Sequence, residues 1–365
     1  MTGSRDRPAR GAGNGPGTHS LFMVPTLAGY LHGCIEALVA AVPGAEATVL
    51  AMPPSPHTPF EFPAHPRIRI IDVDSLGRAD LDRLVADRPS AAYLGGWIDP
   101  RYRRLATVLR RTVPVVLGMD NLWNGTLKQR FMVTCLGPWV RSMCTHIWIP
   151  GLYQYEYARR LGFRRDRILT GLYSANTGLY GQGLARPGTA TAKTLLFIGA
   201  LWKEKGVREL VAAFRRLAPE FPDWRLQLVG SGYLIDSCRG QHERIDVLGF
   251  RQQYELVDLL AGATAFCLPS HYDQWGVVIH EACCAGLPVV ATDACGAVSA
   301  FVHHGYNGFR CAPRDVDSLA AALRRLMELP DETLATFGRR SHELSLQITR
   351  DLWVSKFLSL LDGSL

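Results

Sequence analysis

The chain has 365 residues, enough for two or three domains with more than one sizeable core. Its 47% hydrophobic and 20% charged residues are those of an ordinary globular protein, which excludes fibrous and disordered classes. The net charge of +7 sits on scattered arginines with no basic run interleaved with aromatics, so nucleic acid is not an expected partner.

The opening stretch MTGSRDRPARGAGNGPGTHS is rich in Gly, Arg and small polar residues and lacks an apolar signal core. It reads as a disordered tail over 1–20. Strands are expected next at 21–26 (LFMVPT), 47–52 (ATVLAM), 68–72 (IRIID), 91–95 (AAYLG), 113–117 (VPVVL) and 146–149 (HIWI). Helical patterns such as CIEALVAAV and RYRRLATVLRR separate some of them. Strand and helix alternating in this way predict a parallel sheet covered on both faces, over 21–172. Then follows YSANTGLYGQGLARPGTATAK, at 173–193, poor in periodicity and rich in Gly, Thr and Ala, which predicts a linker.

Beyond it the alternation resumes. TLLFIG leads into KGVRELVAAFRRLA, WRLQLVG ends on SG, and RIDVLG precedes the helical YELVDLLAGA. TAFCLP, the helical GVVIHEACCAG, LPVVAT and the amphipathic DVDSLAAALRRLMEL complete a second α/β unit over 194–345. The last stretch, 346–365, contains a helix (DLWVSKFLSLL). The expected fold is therefore α/β, two doubly wound Rossmann-like domains with a ligand cleft between them.

Several residues carry chemistry. Lys205 and Gly206 open a predicted helix, where backbone amides and the macrodipole suit an anion; the plainer reading is a solvated lysine beside a turn glycine. Gly230, in LVGSGY, and Gly249, in VLGF, end strands. Each suits either a tight turn or, for Gly249 with Phe250, a loop bordering a flat base. The strongest stretch is DQWGVVIHEACCAG. Gly276 and Val277 stand at a helix N-terminus whose free amides suit a phosphate or a sugar hydroxyl. Asp273 precedes that helix and Glu281 lies within it. Flanked by Ala282, Cys283 and Cys284, Glu281 reads as a buried carboxylate that needs donors, and ribose hydroxyls would serve. No His/Cys/Asp/Glu cluster has metal-ligand spacing. No apolar run approaches the roughly 18 residues of a membrane-spanning helix. Nine cysteines, several inside apolar runs, read as buried thiols of a reducing compartment, hence a cytoplasmic protein.

From about 194 to 330 the chain resembles the donor-binding half of retaining glycosyltransferases of family 4, which have the GT-B fold. FIGALWKEKG, LVGSG, VLGF, LPSHYDQWGVVIHEACCAGLPVVATDACGA and HHGYNGFRCAP carry the resemblance, in the family's order and spacing. The family's signature is two acids separated by seven residues, usually both Glu; here they are Asp273 and Glu281. The resemblance implies that Asp273 bonds hydroxyls of the transferred sugar and that Glu281 holds the ribose of a nucleoside diphosphate sugar. It also implies that Lys205, with the Gly276 and Val277 amides, neutralises the diphosphate, so that neither a cofactor nor a metal is expected.

Two departures stand out. Ala200 occupies the place of a usual arginine after Gly199, leaving a diphosphate contact to another group such as Lys203. In the acceptor half, Asp120 of GMDNLWNG stands where many relatives have a histidine, so Asp120 is expected to touch donor or acceptor or else to cap its loop. Gly29 and His32 of PTLAGYLHGCIEAL, together with Trp275, are the expected substrate contacts. The implied reaction is hexosyl transfer from a nucleoside diphosphate sugar to a glycan, a lipid-linked molecule or a small molecule. The rival readings are a non-catalytic nucleotide-sugar binding protein or inactive subunit, and an epimerase or phosphorylase of the same fold. Solvated helix faces account for most arginines; a basic patch near 101–111 or 159–167, peripheral to a membrane, is the minority reading. The last helix is expected to cross back onto the first domain.

Overall fold

The computed structural model describes residues 18–54, 59–182 and 193–362. Short apolar runs between turn residues form strands β1 (His19–Val24), β2 (Glu46–Ala51), β3 (Ile68–Asp72), β4 (Ala91–Leu94), β5 (Val115–Gly118), β6 (His146–Ile149) and β7 (Ile168–Thr170). They make one parallel sheet in the order β3-β2-β1-β4-β5-β6-β7. A second parallel sheet holds β8 (Lys193–Ile198), β9 (Trp224–Val229), β10 (Ile245–Gly249), β11 (Ala265–Leu268), β12 (Val289–Thr292) and β13 (Gly308–Cys311), in the order β10-β9-β8-β11-β12-β13. Both are doubly wound α/β sheets.

The central strands are covered on both faces, which is why they are largely apolar, whereas strands toward the edges carry Arg69, Arg225, Asp246 and Arg310. In the first sheet, side chains alternate between two cores. Leu21, Leu50, Leu94 and Leu117 pack on one face, and Phe22, Val49, Tyr93 and Val116 on the other. The second sheet shares one core that includes Leu196, Leu228, Phe266 and Val290.

Some boundaries differ from the sequence reading. β1 begins at His19, so the expected tail loses its last residues, and residues 1–17 lie outside the described residues. Pro25 ends β1, and β5 starts after Pro114, because a proline has no N–H to give a ladder. β7 and β13 are edge strands too short, at three and four residues, for a pattern to stand out. Most of the expected linker, residues 183–192, lies outside the described residues. No helix among the described residues is long and apolar enough to cross a membrane.

The helix Arg350–Asp362 lies on the first sheet, far in sequence from the strands it covers. Its Trp353 stacks on Trp148 at 4.8 Å and donates its indole N–H to the Leu172 carbonyl at 3.0 Å. Phe357 stacks on Phe22 at 5.4 Å. The chain thus runs from the first sheet to the second and returns.

Each sheet reverses its winding at one point, between β1 and β4 and between β8 and β11. Connections there leave toward opposite faces and open a crevice at the carboxyl ends of the strands. The two crevices face each other.

Candidate active site

A cleft of about 410 Å³ lies at those two switch points. From the first domain, Ala28, Gly29 and Tyr30 follow β1, while Asp120 follows β5. From the second, Ile198 to Ala200 end β8, and Asp273 to Val278 follow β11. Of the residues singled out in the sequence, the cleft brings together Gly29, Asp120, Lys205, Gly230, Phe250, Asp273, Trp275, Gly276, Val277 and Glu281.

Lys205 ends the short 3-10 turn Lys203–Lys205, and the α-helix begins two residues later at Val207. Its position differs slightly from the expected helix opening because Gly206 is left-handed, with φ 68°. A Cβ there would sit 2.0 Å from the Pro269 carbonyl oxygen, so both the turn and the close approach require glycine. The result aims Lys205 Nζ at Asp273 Oδ2, 2.5 Å away. Both side chains are more buried than exposed.

Gly276 caps the helix Val277–Cys284 at φ 86°. The first amides of a helix have no partner within it, and here those of Val277 and Val278 stand at the cleft wall. Glu281 is the fifth residue of this helix and is partly buried, at the cleft wall. Burial lifts its carboxyl to about 7, against the pull of a hydrogen bond from Tyr180 and the charge of Arg350. The Tyr180 hydroxyl donates to Glu281 Oε1 at 3.3 Å.

One turn face away, His280 pins the helix. Its Nδ1 accepts from the Ala175 amide at 3.1 Å and its Nε2 donates to the Ser345 carbonyl at 2.9 Å. Burial pushes this imidazole down to about 4, so it stays neutral and keeps both bonds.

Across the cleft, Asp120 Oδ2 accepts from the Tyr173 hydroxyl at 2.9 Å. Burial, opposed by that bond, raises the carboxyl above its ordinary range, and the charge of Asp273 adds to the rise. The Gln154 amide donates to the carbonyls of both Asp120, at 3.2 Å, and Gln274, at 3.0 Å, and so ties the two domains beside the site. At the far end, Phe60 of the first domain meets Phe250 edge-on, 5.6 Å between centroids. The Gln252 amide donates to the Pro59 carbonyl at 2.8 Å nearby.

Two expected residues, His32 and Gly249, have other places. His32 lies outside the cleft. It is buried, stacked on Phe62 at 4.6 Å, with Nδ1 3.6 Å from Glu36, because its helical phase turns it from the mouth that Gly29 and Tyr30 line. Gly249 does not line the cleft either. It forms a left-handed irregularity at the end of β10, and its carbonyl accepts from the Gly230 amide at 2.8 Å. Trp275 lies in the cleft wall, only 2% exposed, with its ring so close to Gly151 that a Cβ there would meet it at 2.6 Å. It is a wedge between domains, and its indole N–H has no hydrogen-bond partner among the described residues. Of the thiols, eight are buried and Cys135 is exposed.

Sequence reasoning missed Tyr30, Tyr173, Tyr180, Phe60 and Gln253, which also line the cleft. The one available signal was the tyrosine spacing in YSANTGLY, polar-tipped aromatics in a stretch without periodicity.

Comparison with known proteins agrees with this geometry. Residues 192–329 match the family model described as glycosyl transferases group 1. The chain is 36% identical over 215 residues to a glycogen synthase of Mycobacterium tuberculosis, covering 51% of this chain and 50% of that one. It thus spans about half the length of that relative. The sucrose-phosphate synthase of Thermosynechococcus elongatus superposes with a TM-score of 0.71 at 17% identity, over 95% of this chain and 100% of that one. The Anabaena protein HepE, solved with UDP and glucose, gives 0.70 at 18% identity, over 95% and 99%. These two likenesses are of fold, with matching two-sheet architecture. The chain therefore has the GT-B fold, and its second domain matches the group 1 glycosyl transferase model over residues 192–329.

Proposed function

We propose that this protein is a retaining glycosyltransferase of family 4, moving a hexosyl group from a nucleoside diphosphate sugar to an acceptor held by the first domain. The observation that carries the reading is the convergence of Lys205, Asp273, the Gly276–Val277 amides and the Tyr180–Glu281 pair on one cleft. HepE, of the same fold, was solved with UDP and glucose.

In this reading the donor exchanges the Lys205–Asp273 ion pair for better partners. The lysine and the helix amides turn to the diphosphate. Asp273, released, accepts hydroxyls of the sugar. Glu281 accepts from the ribose, whose hydroxyls bring the donors that a buried carboxylate lacks. As the bond from the sugar's anomeric carbon to the diphosphate breaks, negative charge grows on the leaving oxygens. With the donor bound, Lys205 and the amides face that place, which lowers the barrier without further reorganisation. The reading gives this neutralising role to the protein's own groups rather than to a metal. Ala200 removes one cation from the wall, and Lys203, on the adjoining turn, is the nearest replacement in sequence. A cytoplasmic site of action goes with it.

Nucleoside diphosphate at about one hundred times its dissociation constant should stabilise the protein by about 2.7 kcal/mol. That is a rise of roughly 5 to 10 °C in melting temperature for a domain of this size. Lys205→Ala and Glu281→Gln each erode the shift. Asp273→Asn keeps most of it, since the free nucleotide has no sugar, but depresses transfer from the full donor. Thermal shift and turnover on matched samples give the contrast. Loss of nucleotide binding in Asp273→Asn as severe as in Lys205→Ala would remove Asp273 from the sugar, and three unaltered shifts would move the donor site elsewhere.

A further inference from the structure

The charge of the protein is not spread over its surface. Between Asp99 and Glu156 the chain has eight arginines and lysines and one acid, Asp120, which faces the cleft. That net +7 equals the net charge of the whole chain, so the remainder is neutral in balance. Arg101 and Arg104 answer carboxylates of Asp74, Asp99 and Asp82. Arg103, Arg130 and Arg141 donate to backbone carbonyls, which leaves their charge unopposed by any carboxylate among the described residues.

The same stretch exposes apolar side chains in register. Leu127–Phe131 is α-helical, Met132–Leu136 a π turn, and Gly137–Met143 α-helical again. Leu127, Phe131, Cys135 and Trp139 recur at every fourth residue and all are exposed. A step of four overshoots an α-turn and falls short of the wider π turn, so the drift partly cancels and the stripe runs straight. Leu127 is 85% exposed, Phe131 60% and Trp139 39%. The neighbouring helix Pro100–Leu109 starts two residues after Ile98, itself 85% exposed, and its Arg103 lies over the Trp139 ring at 5.9 Å. Apolar side chains of this size, left in water beside uncompensated cations, cost free energy that a partner would recover.

We propose that this face of the first domain docks on an anionic phospholipid surface. The apolar stripe enters the boundary between headgroups and acyl chains, Lys128 and Arg130 meet lipid phosphates, and Trp139 sits at headgroup depth. The charge chooses the partner: an acidic lipid surface answers the cations left unpaired here, whereas a second copy of the same cationic face would repel it. The stripe starts seven residues after Asp120, so the docked surface lies within about 25 Å of the cleft along the chain.

The test is sedimentation of the full chain, without nucleotide, with vesicles of phosphatidylcholine alone or mixed with phosphatidylglycerol. The protein should partition onto the mixed vesicles and stay in solution with the neutral ones, and salt should weaken the binding. Leu127→Asp with Phe131→Asp should lower the partition coefficient at least about tenfold. Lys128→Glu with Arg130→Glu should do the same by about tenfold or more, at roughly fivefold per charge. Both double variants keep the melting-temperature response to nucleoside diphosphate, because none of the four residues lines the cleft, so failure here is separable from failure of the donor site. Equal sedimentation of wild type and both variants, or none with either vesicle, would overturn the proposal. So would a concentration-dependent dimer in the wild type that Leu127→Asp with Phe131→Asp abolishes without any vesicle binding.

Discussion

Glu281 is the carboxylate of the cleft whose titration is lifted toward neutrality. Its carboxyl titrates at about 7 in the fold, above the value of an exposed glutamate. Below the unfolded pKa both states hold the proton and there is no penalty. As pH rises toward 7, the unfolded state ionises first, so stability falls across that window and levels off above it. The loss is on the order of 3 kcal/mol. Thermal melts of the ligand-free protein should therefore show a declining contribution over this window that Glu281→Gln removes; an identical pH slope in the variant would deny Glu281 its burial. Asp120 sits in a related environment, half-buried and held by Tyr173. Asp120→Asn should leave the nucleotide-induced shift intact and lower the transfer rate. A wild-type rate in a direct assay returns Asp120 to a loop cap.

At the scale of elements, the donor site depends on where the second domain's helices start. Gly206 and Gly276 are both left-handed, and each sets the first turn of a helix that points at the cleft. Gly206→Ala must adopt a strained φ and push a Cβ against the Pro269 carbonyl, at a cost of about 1–3 kcal/mol or more. It should lower the melting temperature and, by displacing the preceding turn, weaken nucleoside diphosphate binding as Lys205→Ala does. Calorimetry with and without nucleotide reads both. Unchanged binding would show that the turn holds Lys205 without the glycine.

At the scale of the molecule, polar and aromatic contacts bridge the domains on either side of the cleft: Gln154 to Gln274, Gln252 to Pro59, Phe60 to Phe250. Interdomain motion is the default for interfaces between domains of one chain, and the exposed Gln252–Pro59 contact can exchange with solvent. A donor bound between the sheets adds contacts to both and should compact the molecule. Small-angle scattering with and without donor measures it; the same profile at saturating donor would count against closure, while leaving transfer open.

The alternation of apolar runs with helical periods determined two doubly wound sheets, because burial on both faces makes the central parallel strands largely apolar. The glycines at 206, 230 and 276 and the Asp273–Glu281 spacing were legible for a similar reason: a backbone that must turn left-handed, or come within contact of another backbone, admits little else. What only the tertiary structure decided lies between distant segments. His32 and Gly29 are three residues apart, yet only Gly29 reaches the cleft, since helical phase and the packing of Phe62 place them. Tyr173 and Tyr180 meet Asp120 and Glu281 across 53 and 101 residues. No local pattern encodes such pairs, because their geometry is the sum of how two sheets and a returning helix pack.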